Sequence, residues 1–366
     1  MSMKRTVLPI LAVLVAACGS EQMPIAIATA GPWAMANGAM HKRGVELAVE
    51  QINANGGIDG RPVKLIDRDD EASGVKAAKI AAEFVADRSI LAVVGHVNSG
   101  AMMAAARVYD GNLAAISSTA TSPDLTGISS WAFRVIASDS VSAIHMARFA
   151  KESGAKQVAI LYENNAFGRG LMDPFRKNFG DALVAVDPIP SDPKANFEPY
   201  IAFLREKGAD LVFVAGSDAS GLAILREARR QAFNATFLSG VGWTGVTADP
   251  AASEGAFVGV PMAIDDKRQD VQRFVQAFRA RYSRDPDAKA ALAYDATMLV
   301  ARAIAEAGPN RHAIREWLHD LNGSRSFAGV TSKTIQFDAT GDVANGGFVM
   351  TQVRGGALVV QANGSR

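Results

Sequence analysis

The chain has 366 residues, 49% hydrophobic and 20% charged, with a formal net charge of +1. That length exceeds one average domain and predicts two lobes, each with its own core, while near-neutral charge removes the electrostatic case for nucleic acid as a partner. A single cysteine, Cys18, excludes a disulfide framework and any Cys-based metal site.

At the N-terminus, Lys4 and Arg5 precede an apolar stretch, 6–15, broken by Pro9. It is shorter than the roughly 20 residues a bilayer span requires, and it ends in Val15-Ala16-Ala17-Cys18, the small residues of a cleavage site. Residues 1–17 therefore read as a signal peptide. The arrangement resembles a bacterial lipobox, which implies that Cys18 is lipidated, becomes the new N-terminus, and anchors the protein through a tether at 18–23. No later run is long and apolar enough to span.

Strand and helix signals then alternate. Residues 25–30 read as a strand, followed by a loop carrying Trp33 and a helix over 38–54, whose Val45, Leu47, Ala48 and Ile52 recur at helical spacing. Asn55-Gly56-Gly57 ends it with residues that tolerate positive φ. A strand at 63–66 and a helix at 75–85 come next. Between them lies the acidic run Asp67, Asp69, Asp70 and Glu71. Alternation sends these carboxylates to both faces and into a loop, which predicts a solvated strand exit and not a metal site.

Strands at 91–95 and 113–117 flank a helical segment, 100–109, forming a βαβ unit whose strand exits lie side by side. Both exits carry small hydroxyl residues: Ser99, placed to cap the helix, and then Ser117, Ser118, Thr119 and Thr121. Ligands of open parallel sheets bind outside the carboxyl ends of the strands, and capping hydroxyls with free helix N–H groups suit a small anion. The same residues also populate such loops as ordinary caps and turns.

The second half of the chain repeats this grammar. A connecting strand at 131–136 leads to a helix at 140–153, a strand at 157–162, a helix at 168–179 and a strand at 182–189. Elements at 197–207, 211–215, 221–231, 236–238 and 257–261 continue the alternation. The tail departs from it: helices at 271–282, 288–307 and 311–321 come in succession, then strands at 334–337, 347–353 and 357–361. Helices without intervening strands cannot build a third parallel sheet, so they are expected to cover the first lobe while the last strands return to the second.

Catalytic patterns are missing. His41, His96, His145, His312 and His319 are scattered, with no metal-ligand spacing and no phosphate-binding loop, so the chain predicts neither an enzyme nor a cofactor. His96, beside the anion-binding exits, reads as a packed strand-end residue.

Five segments carry a specific likeness: GVELAVEQINANGGIDGRPVKLIDRDDEAS, VVGHVNSGAMMAAARVYD, ISSTATSPDL, ILYENNAFGRG and AYDATML. Together they resemble the leucine/isoleucine/valine-binding branch of periplasmic substrate-binding proteins, the capture components of ABC importers. The resemblance implies the type I periplasmic-binding fold, an α/β architecture of two doubly wound parallel-sheet lobes joined by three hinge crossovers. These are placed near Asp139, Asp265 and Phe327, giving lobe 1 as 24–139 plus 266–326 and lobe 2 as 140–265 plus 327–366. It further implies a monomer at the periplasmic face of a bacterial membrane, ABC permease subunits as partners, and a small carboxylate ligand, a branched-chain amino acid or a related amino or aromatic acid, held as the lobes close. The same fold used otherwise would be an envelope lipoprotein acting as a ligand sensor or protein activator.

Residue by residue, Ser99, Ala120 and Thr121 match family positions that hold the ligand carboxylate and, through a backbone carbonyl, its ammonium. Phe167 matches an aromatic that either covers the ligand or joins the core. The family's ammonium-binding Glu has no counterpart, with Val241 nearest its position. Asp218 either replaces it or caps the helix at 221–231. Lys289 falls near a position where relatives carry an aromatic; it is either solvated or faces the crevice, where it would favour a ligand with a second acidic or polar end. Trp33 and Trp243 add flat apolar surface that suits an apolar or aromatic carboxylate as readily as leucine.

Overall fold

The computed structural model describes residues 23–361 apart from positions 181, 263, 265, 324 and 345. The segment 1–17, Cys18 with the tether up to 22, and Asp265 at the expected second crossover lie outside the described residues. Among the described residues no helix is long and apolar enough to cross a membrane.

The first sheet is built from β1 (Ile25–Gly31), α1 (Ala36–Ala54), β2 (Val63–Asp69), α2 (Gly74–Ala86), β3 (Ile90–Gly95), α3 (Ser99–Tyr109), β4 (Ala115–Ser117) and β5 (Ala132–Arg134). Its five strands run in the order β2-β1-β3-β4-β5, all parallel. Every residue of β1 and β3 is buried, as a sheet covered on both faces requires. Alternation then divides the strand residues between two cores. Ile25, Ile27 and Val94 meet Val45 and Ile52 of α1, whereas Ala26, Ala28 and Val93 meet Phe84 of α2 and Met102 of α3.

The chain crosses over at α4 (Asp139–Glu152) and continues through β6 (Val158–Glu163), α5 (Ala166–Phe179), β7 (Leu183–Ile189), α6 (Glu198–Glu206), β8 (Leu211–Ala215), α7 (Asp218–Arg230), β9 (Thr236–Ser239), α8 (Pro250–Ser253) and β10 (Phe257–Val260). It returns as α9 (Gln269–Tyr282), α10 (Ala288–Ala307) and α11 (Arg311–His319), and ends in β11 (Val349–Arg354) and β12 (Ala357–Val360). The tail helices cover the first lobe, as expected: Leu292 and Leu299 of α10 and Trp317 of α11 enter the core of α1 and β1. The second sheet has seven strands in the order β12-β11-β10-β9-β8-β6-β7. It is mixed and not wholly parallel, because β11 runs antiparallel to β10 and turns tightly into β12; a short connection permits only antiparallel pairing.

Two expectations need correction. Residues 334–337 form no strand; Ile335 and Phe337 each make a single bridge, to Phe327 and Val343. These four side chains belong to the first lobe's core, and Asp342 bridges to Arg134 beside β5. The third crossover therefore lies after Val343 and not near Phe327, since hydrophobic burial keeps the intervening segment with the first lobe.

The crossovers lie against one another. A Cβ on Gly346 would stand 2.5 Å from the Ala137 Cβ in the first crossover, and one on Gly347 would stand 2.4 Å from the Pro261 carbonyl oxygen after β10. Only hydrogen fits at either position. Gly346→Ala is therefore expected to cost ~1–3 kcal/mol of stability by overpacking, measured by urea unfolding; a midpoint equal to that of the parent would show that the contact yields.

Candidate functional site

In the first lobe the exits of β3 and β4 are fixed by buried hydrogen bonds. Ser117 Oγ donates to the His96 carbonyl at 2.7 Å and accepts from Ala120 N at 3.1 Å. Thr119 Oγ1 donates to the Val97 carbonyl at 2.9 Å. Ser118 Oγ lies 2.7 Å from His41 Nδ1, whose ring contacts Thr29 Oγ1 through Nε2 at 3.1 Å. Because the Thr29 hydroxyl donates to the Val94 carbonyl, its oxygen is left to accept from His41 Nε2–H. Nδ1 of the neutral ring then accepts from Ser118. Burial keeps the ring neutral by pushing the His41 pKa down to about 4. No sequence pattern announces this buried histidine, because a single His within a helix has none.

Ser99 is not the cap of α3. Asn98 occupies that position, makes no capping bond, and its side chain accepts from Asn37 at 3.3 Å instead. Ser99 is the first helical residue, and its Oγ accepts from the backbone N–H groups of Thr121 and Ser122, both at 3.2 Å. Its hydroxyl proton remains to be donated, and the uncapped helix end adds partial positive charge beside it.

Next to this anion-friendly end are two buried oxygens without hydrogen-bond partners, Thr121 Oγ1 and Asp139 Oδ2. Asp139 opens α4 at the first crossover, and its N–H donates to the Thr121 carbonyl at 2.8 Å. Burial lifts its pKa to about 7, opposed first by the adjacent Thr121 hydroxyl and then by Arg134. Asp139 lines a small recess between the crossovers, shared with Gly240, Val241 and Phe348. The sequence located Asp139 as a hinge position; its facing a cavity depends on how the crossovers pack.

The second-lobe wall comes from the exits of β6, β8 and β9. Glu163 Oε1 accepts from Ser217 N, Ser217 Oγ and Ser220 Oγ, and Oε2 accepts from Asn165. Phe167, half-buried at the start of α5, lies against Gly242 and the packing of its own lobe. Trp243 is sealed in the second core with its indole against Gly221. Trp33 stacks on His41 at 6.2 Å, with Lys42 above it.

Lys289 is buried, not solvated. Its Nζ lies 2.6 Å from Asp218 Oδ2 across the lobes, and Asp218 Oδ1 accepts from Gly245 N at 2.6 Å. Asp218 thus spends its carboxylate on Lys289 and Gly245 and not on capping its own helix, whose cap is Ser217. Burial raises the Asp218 pKa against the pull of Lys289.

The acidic run also divides. Asp69 and Glu71 are exposed, and Asp67 pairs with Lys42, but Asp70 is fully buried on His96 Nδ1 at 2.6 Å, with the Tyr109 hydroxyl on the other ring nitrogen at 3.1 Å. His96 is packed, as expected, and Asp70 is the exception to a solvated exit because it supplies that ring's partner.

The family model described as periplasmic binding protein matches residues 24–357. The leucine-, isoleucine-, valine-, threonine- and alanine-binding protein of Pseudomonas aeruginosa is 29% identical over 338 residues, 89% of each chain. The ABC transporter substrate-binding protein of Desulfitobacterium hafniense, solved in complex with Leu, superposes with a TM-score of 0.79 at 30% identity, covering 92% of this chain and 100% of that one. The branched-chain amino acid transporter substrate-binding protein of Streptococcus pneumoniae, solved with isoleucine, gives 0.85 at 26% identity, covering 92% and 99%.

His41 carries a linkage consequence. Above about pH 6.5 the ring is neutral in both states; below it the unfolded chain takes a proton that the folded chain refuses until about pH 4. The histidine therefore costs stability progressively as pH falls through that window, reaching about 3 kcal/mol. Asp139 and Asp295, raised to about 7 and about 6, have the opposite slope, so the test compares variants. The stability of His41→Phe relative to the parent is expected to improve between pH 6.5 and 4 in chemical denaturation; a constant difference would contradict it.

Proposed function

The chain belongs to the periplasmic binding protein family, and from that premise we propose that it is the substrate-binding protein of an ABC importer, capturing a small amino acid between its lobes. Binding relatives of this kind capture and release; no bond is made or broken. The observation that carries the choice of ligand is the pair of unpartnered buried oxygens, Thr121 Oγ1 and Asp139 Oδ2, beside an uncapped helix end.

A buried carboxylate oxygen left unpartnered is costly, and an ammonium group relieves that cost. In this reading the ligand carboxylate takes the Ser99 hydroxyl proton and the first N–H groups of α3, while the ammonium takes Thr121 Oγ1 and Asp139 Oδ2. Ala120 contributes backbone to the same loop, held by Ser117. Val241, where the resemblance places a Glu in amino-acid binders, lines the same recess as Asp139. The carboxylate is then supplied from the crossover in place of the second lobe. Ammonium binding at the junction of the lobes favours their closed arrangement, the shape a permease distinguishes. Phe167 and Trp33 supply apolar surface around the side chain, and Trp243 acts by packing the wall behind it. Lipidation at Cys18 completes the proposal, holding the capture protein at the membrane that bears its permease.

A thermal-shift screen of neutral amino acids against the matching deaminated acids, on protein freed of bound ligand, tests the assignment. Amino acids are expected to raise the melting temperature with a logarithmic concentration dependence, and deaminated acids to fail. Ser99→Ala and Thr121→Ala should each weaken binding by ~1–3 kcal/mol; unchanged affinity in both would remove these residues from the site.

Asp139 adds a pH signature. Ammonium binding needs the ionised carboxylate, which in the free protein takes up a proton below about pH 7. Affinity is expected to weaken as pH falls from 8 to 5, up to about tenfold per unit below the pKa. Asp139→Asn should bind weakly with a flat profile by calorimetry; a pH-dependent variant would overturn the role.

A further inference from the structure

We infer that the buried Lys289–Asp218 pair is the charge-selecting element of the cleft, excluding ligands with an acidic side chain. The inference rests on the amino-acid reading above. Asp218 stands at the exit of β8, in the first turn of α7 in the second lobe, while Lys289 stands in the first turn of α10 in the first. The pair therefore joins the two lobes directly.

Asp218 stands on the side of its sheet where ligands of such sheets bind, outside the carboxyl ends of the strands, and in the pair each side chain is almost without solvent, 4% for Lys289 and 11% for Asp218. A second contact crosses the lobes beside it, Thr244 Oγ1 to Asp287 Oδ2 at 3.2 Å. Asp287 is the cap of α10 and accepts from Ala290 N, which holds it in place near Asp218.

A desolvated lysine demands one anion. Asp218 is that anion, so a ligand bearing a second carboxylate finds the cation taken and meets Asp218 and Asp287 as repelling neighbours. A neutral side chain closes the cleft without disturbing the pair. The same lysine with Asp218 neutralised would lack a counter-charge, and an acidic side chain would then supply it. Selectivity here works by rejection, since an unpaired charge penalises the wrong ligand more than any contact rewards the right one.

The test is calorimetric titration of L-valine and L-glutamate into the parent, Asp218→Asn, and the double variant Lys289→Met with Asp218→Leu. The parent should favour valine. Asp218→Asn should shift the valine-to-glutamate affinity ratio toward glutamate by about tenfold or more, through tighter glutamate binding. The double variant, with neither charge, should keep valine binding and show no glutamate gain, which also establishes that the fold tolerates the site.

An unshifted ratio in Asp218→Asn overturns the proposal, as does an equal glutamate gain in the double variant, which would exclude Lys289 as its cause. The two readings fail separately. A parent that binds no amino acid refutes the amino-acid assignment, while glutamate binding confined to Asp218→Asn still decides for the pair, and its absence there decides against it.

Discussion

Arg134 joins the parts of this molecule that must move together. Its guanidinium donates to Asp342 through Nε and Nη2 at 2.6 and 2.5 Å, to the Ser122 carbonyl at 2.8 Å and to the Thr126 hydroxyl at 2.7 Å. A bidentate pair with a carboxylate is among the strongest geometric constraints a side chain can impose. One end of this network is the segment leading into the third crossover and the other is the loop carrying Thr121. Asp139, five residues beyond the strand that ends in Arg134 and hydrogen-bonded to Thr121, lies within its field. The hydroxyl-bearing strand exits, the buried Asp139 carboxylate and the crossovers therefore form a single mechanical unit.

The fold was largely legible because its main signals are local. Period-3.6 and period-2 patterns placed all the helices of the tail and the strands of both sheets, and the successive helices correctly announced a cover for the first lobe. What escaped depended on partners distant in sequence. Residues 334–337 have the composition of a strand, yet no neighbouring strand is available to them, and burial of Ile335 and Phe337 against the first core takes precedence. The third crossover moved for the same reason.

At the site, hydroxyl chemistry at two adjacent strand exits was visible in the residues themselves. The ionisation states were not. His41 is neutral because helices seal it, Asp139 is drawn toward its neutral form because burial outweighs Thr121 and Arg134, and Lys289 keeps company with Asp218 because the lobes meet. Each depends on desolvation by elements tens to hundreds of residues away. Asp70, placed by pattern in a solvated run, is buried by its pairing with His96 for the same reason.

Glu163 has one more consequence. By collecting the hydroxyls of Ser217 and Ser220 and the amides of Ser217 and Asn165, it internalises the polar groups at the exits of β6 and β8. The far wall thus has few polar groups left to offer, while the near wall keeps the Ser99 hydroxyl proton, Thr121 Oγ1 and its helix end. Under the proposed function this asymmetry makes recognition sequential: the guest is tethered on one side first and enclosed by the other afterwards. Evolution of the enclosing side can then retune the size and charge of what is accepted without rewriting how the guest is first held.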